Sequence, residues 1–144
     1  MKRWGIFCLI TALCAAALLL HVKNSTSVAN TIEIGGQKIT IEIADTDQAR
    51  EKGLGGRDSL LEDGGMLFIF PEDGVYSFWM KDMRFPIDIM WLSADGRIVD
   101  LLENVSPDTY PTAFSPKKPA RYVLELPANT VKRLKTRLGD IVRL

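Results

Sequence analysis

The sequence predicts a mainly β domain, an antiparallel β-sandwich or barrel-like fold of about seven strands with two short helices. Three observations carry that expectation. Apolar residues recur at period two, turn-forming Gly, Pro and Asp clusters break the chain at near-regular spacing, and only two stretches carry helix signals.

From residue 30 to 44 the chain reads as a hairpin. Ile32 and Ile34 lead into Gly35-Gly36, and Ile39, Ile41 and Ile43 then alternate with Thr40 and Glu42, one face buried and one wet. Residues 45–53 carry the marks of a short exposed helix: Asp45 as a capping acceptor, Gln48 three positions on, and Gly53 as a stop. Met66-Leu67-Phe68-Ile69-Phe70 is a continuous apolar run, the pattern of a strand covered on both faces, and Pro71-Glu72-Asp73-Gly74 reads as a turn. Residues 75–80 and 87–93 follow as strands. In the latter, alternation puts Ile87, Ile89 and Trp91 on one face and Asp88, Met90 and Leu92 on the other. Ala94-Asp95-Gly96 turns into a strand over 97–103. Pro107, Pro111, Pro116 and Pro119 make residues 105–119 a long ordered loop. A strand over 121–126, a short helix capped by Asn129 with Val131, Leu134 and Leu138 on one side, and a last strand over 140–144 complete the chain.

Ahead of this domain, Lys2 and Arg3 precede an uncharged apolar run over residues 4–20, closed by His21, Val22 and Lys23. That is the layout of a signal peptide or N-terminal membrane anchor, so residues 1–29 are assigned to targeting and 30–144 to one globular domain. Ser27-Val28-Ala29 offers small residues for cleavage before Asn30. Without cleavage, residues 4–20 are the only membrane contact expected. In either case the domain is expected outside the cytoplasm, in the periplasm or at the outer face of the cytoplasmic membrane.

Composition narrows the chemistry. Both cysteines, Cys8 and Cys14, and the single histidine, His21, fall in the N-terminal segment, so the domain lacks thiol and imidazole. Disulfides, cysteine or histidine zinc sites and histidine-based triads are thereby excluded, and no cofactor is expected. Of the 18 basic residues, Lys2, Arg3 and Lys23 lie in that segment, leaving 15 against 18 acidic ones and a net charge of −3 on the domain. Nucleic acid, which selects clustered basic surface, is not an expected partner. A small molecule or an envelope protein is.

The candidate ligand-binding residues are Arg57, Trp79, Lys81 and Asp88, because residues 78–88 interleave large apolar side chains with charges. Asp88, flanked by Pro86-Ile87 and Ile89-Met90-Trp91, is expected to be buried and to need Arg57, Arg84 or backbone amides as partner, either as a cleft anchor or as a structural pair. No catalytic residue is assigned. The leading expectation is a noncatalytic binding or interaction module. One alternative is a histidine-free hydrolase or lyase on envelope glycans using carboxylates such as Asp88 and Glu125. A second is Cu(I) binding by Met66, Met80, Met83 and Met90.

Gly53-Leu54, Gly65-Met66-Leu67-Phe68-Ile69-Phe70, Phe78-Trp79-Met80-Lys81, Pro86-Ile87-Asp88-Ile89, Gly96-Arg97-Ile98-Val99, Val123-Leu124-Glu125-Leu126 and Gly139-Asp140 occur in that order. With these elements the chain resembles the family known as domain of unknown function 192. The resemblance implies a compact β-sandwich-like domain, often behind a signal peptide, with no established activity.

Overall fold

A computed structural model describes residues 30–144; the expected signal segment, residues 1–29, lies outside them. The domain is mainly β, as expected. Six strands form one sheet in the order β1-β2-β3-β8-β5-β6, and β4 pairs with β7 in a separate two-stranded ladder.

β1 (Asn30–Ile34) and β2 (Gln37–Ala44) make the expected antiparallel hairpin. α1 (Asp47–Lys52) follows, capped one residue later than the sequence suggests: the Thr46 hydroxyl accepts from the Ala49 amide at 3.1 Å. This helix acts as a crossover, so β3 (Gly64–Gly74) pairs with β2 in parallel, the one departure from antiparallel pairing among the described strands. β3 also runs through Pro71–Gly74, where a turn is expected. The proline is tolerated because the pairing with β8 shifts register between Ile69 and Gly74.

The expected strand over 75–80 shrinks to β4 (Phe78–Trp79), paired with β7 (Ala113–Phe114) from the proline-rich loop. β5 (Ile87–Leu92) is buried at all six positions, and β6 (Ile98–Val105) is its hairpin partner. β8 (Ala120–Pro127) lies between β3 and β5 at the centre of the sheet. α2 (Thr130–Leu134) ends at Lys135 in the left-handed region rather than continuing to Leu138, which is 61% exposed. Residues 140–144 form isolated bridges instead of a strand: Ile141 pairs with Arg97 and Arg143 with Glu33. The last residues thus join the start of β6 to β1, the two outer strands of the sheet.

Gly96 makes that junction possible. It holds φ +78°, and a Cβ there would sit 2.4 Å from the Val142 carbonyl oxygen, whose own amide donates to Gly96 O at 2.9 Å.

The sheet is apolar on both faces. Ile34, Ile41, Leu67, Met90, Leu92, Leu124 and Leu126 pack on one side with Val131 and Leu134 of α2 and with Val142. Met66, Phe68, Ile87, Ile89, Trp91 and Val123 pack on the other beneath Leu54 and Met80. Each fully buried aliphatic or aromatic side chain contributes roughly 1.5–3 kcal/mol, so these two layers supply the main driving force in a domain without disulfides.

Candidate functional site

The second face is only partly roofed. Between the C-terminal end of α1, the β3–β4 connection and the segment over 79–84 lies a cleft of about 1170 Å³, with Phe68 and Glu125 from the sheet among its lining residues.

Glu125 is the chemically distinctive group. Its register neighbours are Met66 on β3 and Ile89 on β5, so a carboxyl at the middle of the sheet is walled by hydrocarbon. It is 5% exposed, and its Oε2 has no hydrogen-bond partner among the described residues. Burial pushes its carboxyl up to about 8, against the opposing pull of the Arg57 charge. At neutral pH it is largely a neutral acid, able to donate one hydrogen bond and accept others.

Arg57 is held in place by Glu42, one strand beyond Met66. Its two terminal nitrogens reach the two Glu42 oxygens at 2.5 and 2.8 Å. This fork lowers the Glu42 carboxyl below its ordinary range, chiefly through the hydrogen bond, and raises the Arg57 guanidinium.

The walls are aromatic. Phe70 and Tyr76 stack with centroids 3.5 Å apart and planes 9° from parallel, and Phe78 stands edge-on to Phe68 at 4.8 Å and 87°. Trp91, beneath, donates its indole N–H to the Tyr76 carbonyl at 2.9 Å and ties down the approach to β4. Arg50 braces the other side, donating to the carbonyls of Asp45 and Ile69 at 2.7 Å each with its guanidinium 5.3 Å from the Phe70 ring centre. Trp79 is 52% exposed at the rim, with Tyr110 edge-on at 5.8 Å and the Lys81 ammonium 5.9 Å from its ring centre. Gly55 lets the two rims approach: a Cβ there would lie 3.1 Å from the Lys52 carbonyl oxygen and 3.5 Å from that of Lys81.

Of the four residues singled out in the sequence, Trp79 and Lys81 meet at this cleft. Arg57 stands behind it, engaged with Glu42 and acting electrostatically on Glu125. Asp88 is not in the cleft. It points to the opposite face of the sheet, fully buried, where Oδ1 accepts from the amides of Asn104 at 2.8 Å and Asn129 at 3.3 Å, and Oδ2 from Val131 at 2.8 Å. Backbone amides, not Arg57 or Arg84, satisfy it; Arg84 pairs with Asp58. Asp88 and Glu125 therefore cannot act on one substrate, since Ile89 is the residue paired with Glu125 and Asp88 alternates away from it. The methionines are likewise divided, Met90 in one core layer and Met66, Met80 and Met83 in or against the other, as packing residues.

Comparison with known proteins places the chain clearly. The UPF0127 protein of Thermococcus gammatolerans is 29% identical over 109 residues, covering 71% of this chain and 64% of the archaeal one. The UPF0127 protein of Thermococcus kodakarensis is 28% identical over 111 residues, covering 71% and 62%. The aligned region thus spans somewhat under two thirds of each of these relatives. Two crystal structures share the fold. One, described as a candidate transcription regulator from Sinorhizobium meliloti 1021, has a TM-score of 0.73 and 34% identity and covers 78% of this chain and 89% of its own. The other, a protein of unknown function from Novosphingobium aromaticivorans, has a TM-score of 0.75 and 27% identity and covers 81% and 85%. The model of the DUF192 family, described as Uncharacterized ACR, matches residues 30–144. The chain belongs to the DUF192 family.

Proposed function

We propose that residues 30–144 form an exported, noncatalytic domain that binds a small molecule in the cleft above Glu125. The observation that carries the reading is the buried carboxyl oxygen at the cleft floor, which lacks a protein partner among the described residues. A polar atom in that position costs about 1–3 kcal/mol unless something else satisfies it, and a ligand group entering among the aromatic walls would do so. Support for a noncatalytic role comes from the two carboxylates of the strands nearest Glu125: Glu42 is locked by Arg57, Asp88 lies across the sheet, and neither lines the cleft, whose other carboxylates, Glu51 and Asp82, belong to its rim. Support for export comes from the apolar run over 4–20 behind Lys2 and Arg3. The description of the Sinorhizobium protein suggests a nucleic-acid role, but the net charge of −3 on residues 30–144 weighs against one here.

Native mass spectrometry of the protein expressed from the full chain and recovered from its own cell envelope, cleaved or not, tests both parts. The expected spectrum shows a retained small molecule that is lost in Glu125→Gln and Trp79→Ala variants. Spectra identical across the three proteins would sink the cleft reading, and recovery of the full chain from the cytosolic fraction alone would sink export.

A further inference from the structure

Resting on the binding reading above, we propose that the cleft takes an uncharged saccharide of more than one ring, its hydroxyls meeting Glu125 and a sugar face lying on Trp79.

The floor selects against charge. A cation reaching Glu125 would meet the field of the Arg57 guanidinium, and an ion of either sign would have to shed its water at a floor walled by Met66 and Ile89. A hydroxyl both donates and accepts, so vicinal hydroxyls satisfy the Glu125 carboxyl whether or not it carries its proton. The rim adds no single-signed field either: Arg50 is paired with Asp47 and Arg84 with Asp58, and Lys52 and Lys81 stand beside Glu51 and Asp82 in the chain.

The walls select the shape. A flat heteroaromatic base is best held between two parallel rings, but the one near-parallel pair, Phe70 with Tyr76, is closed on itself at 3.5 Å. The other wall and rim pairs cross at 87° and 62°, leaving single faces rather than a slot. A pyranose presents an apolar C–H face to one such ring and turns its hydroxyls sideways, which is what a half-exposed Trp79 and a buried carboxyl can each accept. The volume of about 1170 Å³ exceeds that of a single sugar unit and passes the roughly 300–1,000 Å³ of ordinary small-molecule pockets, in keeping with an oligomer.

The test is calorimetric titration of the full-length chain, in a zwitterionic rather than a sugar-headed detergent, with maltotetraose, cellotetraose and tetra-N-acetylchitotetraose. AMP and benzoate serve as charged aromatic controls. At least one tetrasaccharide is expected to bind saturably, weakened at least about tenfold in both Trp79→Ala and Glu125→Gln, with unchanged far-UV circular dichroism and a cooperative thermal melt showing that both variants fold. Binding that neither variant weakens, or no binding by any of the three sugars, overturns the saccharide assignment. If AMP or benzoate then binds in a Trp79- and Glu125-dependent way, the saccharide is lost while the binding cleft stands; if no probe binds, both are lost.

Discussion

The Oδ2 of Asp88 accepts the amide hydrogen of Val131 at 2.8 Å, across 43 residues of sequence, so a carboxylate on β5 caps the start of α2. Asn129, the expected cap, makes no side-chain capping bond; it takes a left-handed φ of 69°, and its own amide donates to Asp88. Replacing Asp88 by Ala leaves three backbone amides without this acceptor.

For Asp88→Ala the expected loss is about 3 kcal/mol of stability or more, read from the urea midpoint, with ligand affinity per folded molecule unchanged. Asp88→Asn should recover only part of it, because its amide group offers a donor where one of the amides needs an acceptor. A stability change within about 0.5 kcal/mol in the alanine variant would contradict the capping role.

Glu125 should make stability depend on pH in a defined direction. Its carboxyl titrates near 4.5 when unperturbed and about 8 when folded, so between those values folding takes up a proton. The stability linked to it is complete below about pH 4.5 and is lost as pH rises through about 8, with a slope of up to about 1.4 kcal/mol per pH unit. Thermal melts from pH 5 to 9 should show this decline in the wild type and a flatter profile in Glu125→Gln. Equal slopes in the two proteins would mean that Glu125 does not titrate in that window.

Arg57→Ala acts on the same curve from outside the cleft. The Arg57–Glu42 pair is partly solvated, so breaking it should cost within about 1 kcal/mol. The Arg57 charge also lowers the Glu125 carboxyl, so its removal should carry the decline in stability to higher pH. Melts across the same pH series check the shift, and a move to lower pH would contradict the electrostatic assignment.

Two tryptophans give opposite expectations. Trp91 is 1% exposed and hydrogen-bonded to Tyr76, so Trp91→Ala should cost about 3–5 kcal/mol. Trp79 is 52% exposed, and Trp79→Ala should stay within about 1 kcal/mol while losing ligand. Denaturant melts of both variants, paired with the titration above, separate the packing residue from the binding one.

Local pattern revealed most of the fold and about half of the site. The period-two alternation of Ile39, Ile41 and Ile43 and the apolar run from Met66 marked strands correctly because burial imposes those periods directly. The same alternation already separated Asp88 from Ile89 and Trp91, and so from any cleft on their face; the flanking hydrophobes disclosed its burial but not its partners, which come from distant backbone. Glu125 was harder to read. Between Leu124 and Leu126 it looks like a solvated face residue, and the side chains that wall it in, Met66 and Ile89, come beside it only through the long-range pairing of β8 with β3 and β5. The parallel pairing of β2 with β3 was hidden for the same reason, as no residue in either strand encodes the direction of its neighbour.

The bridges of Ile141 to Arg97 and Arg143 to Glu33 carry a kinetic consequence. Arg143 and Glu33 stand 110 residues apart, so the contact between the ends of the sheet has one of the longest loop closures available to this domain. A chain that emerges from its N-terminus onward, from a ribosome or through a pore, can collapse its early hairpin but leaves both sheet margins unfastened until residue 143 has passed. The last few residues then behave as a latch, and premature termination ahead of Ile141 would yield a species with most of its core and two sticky margins.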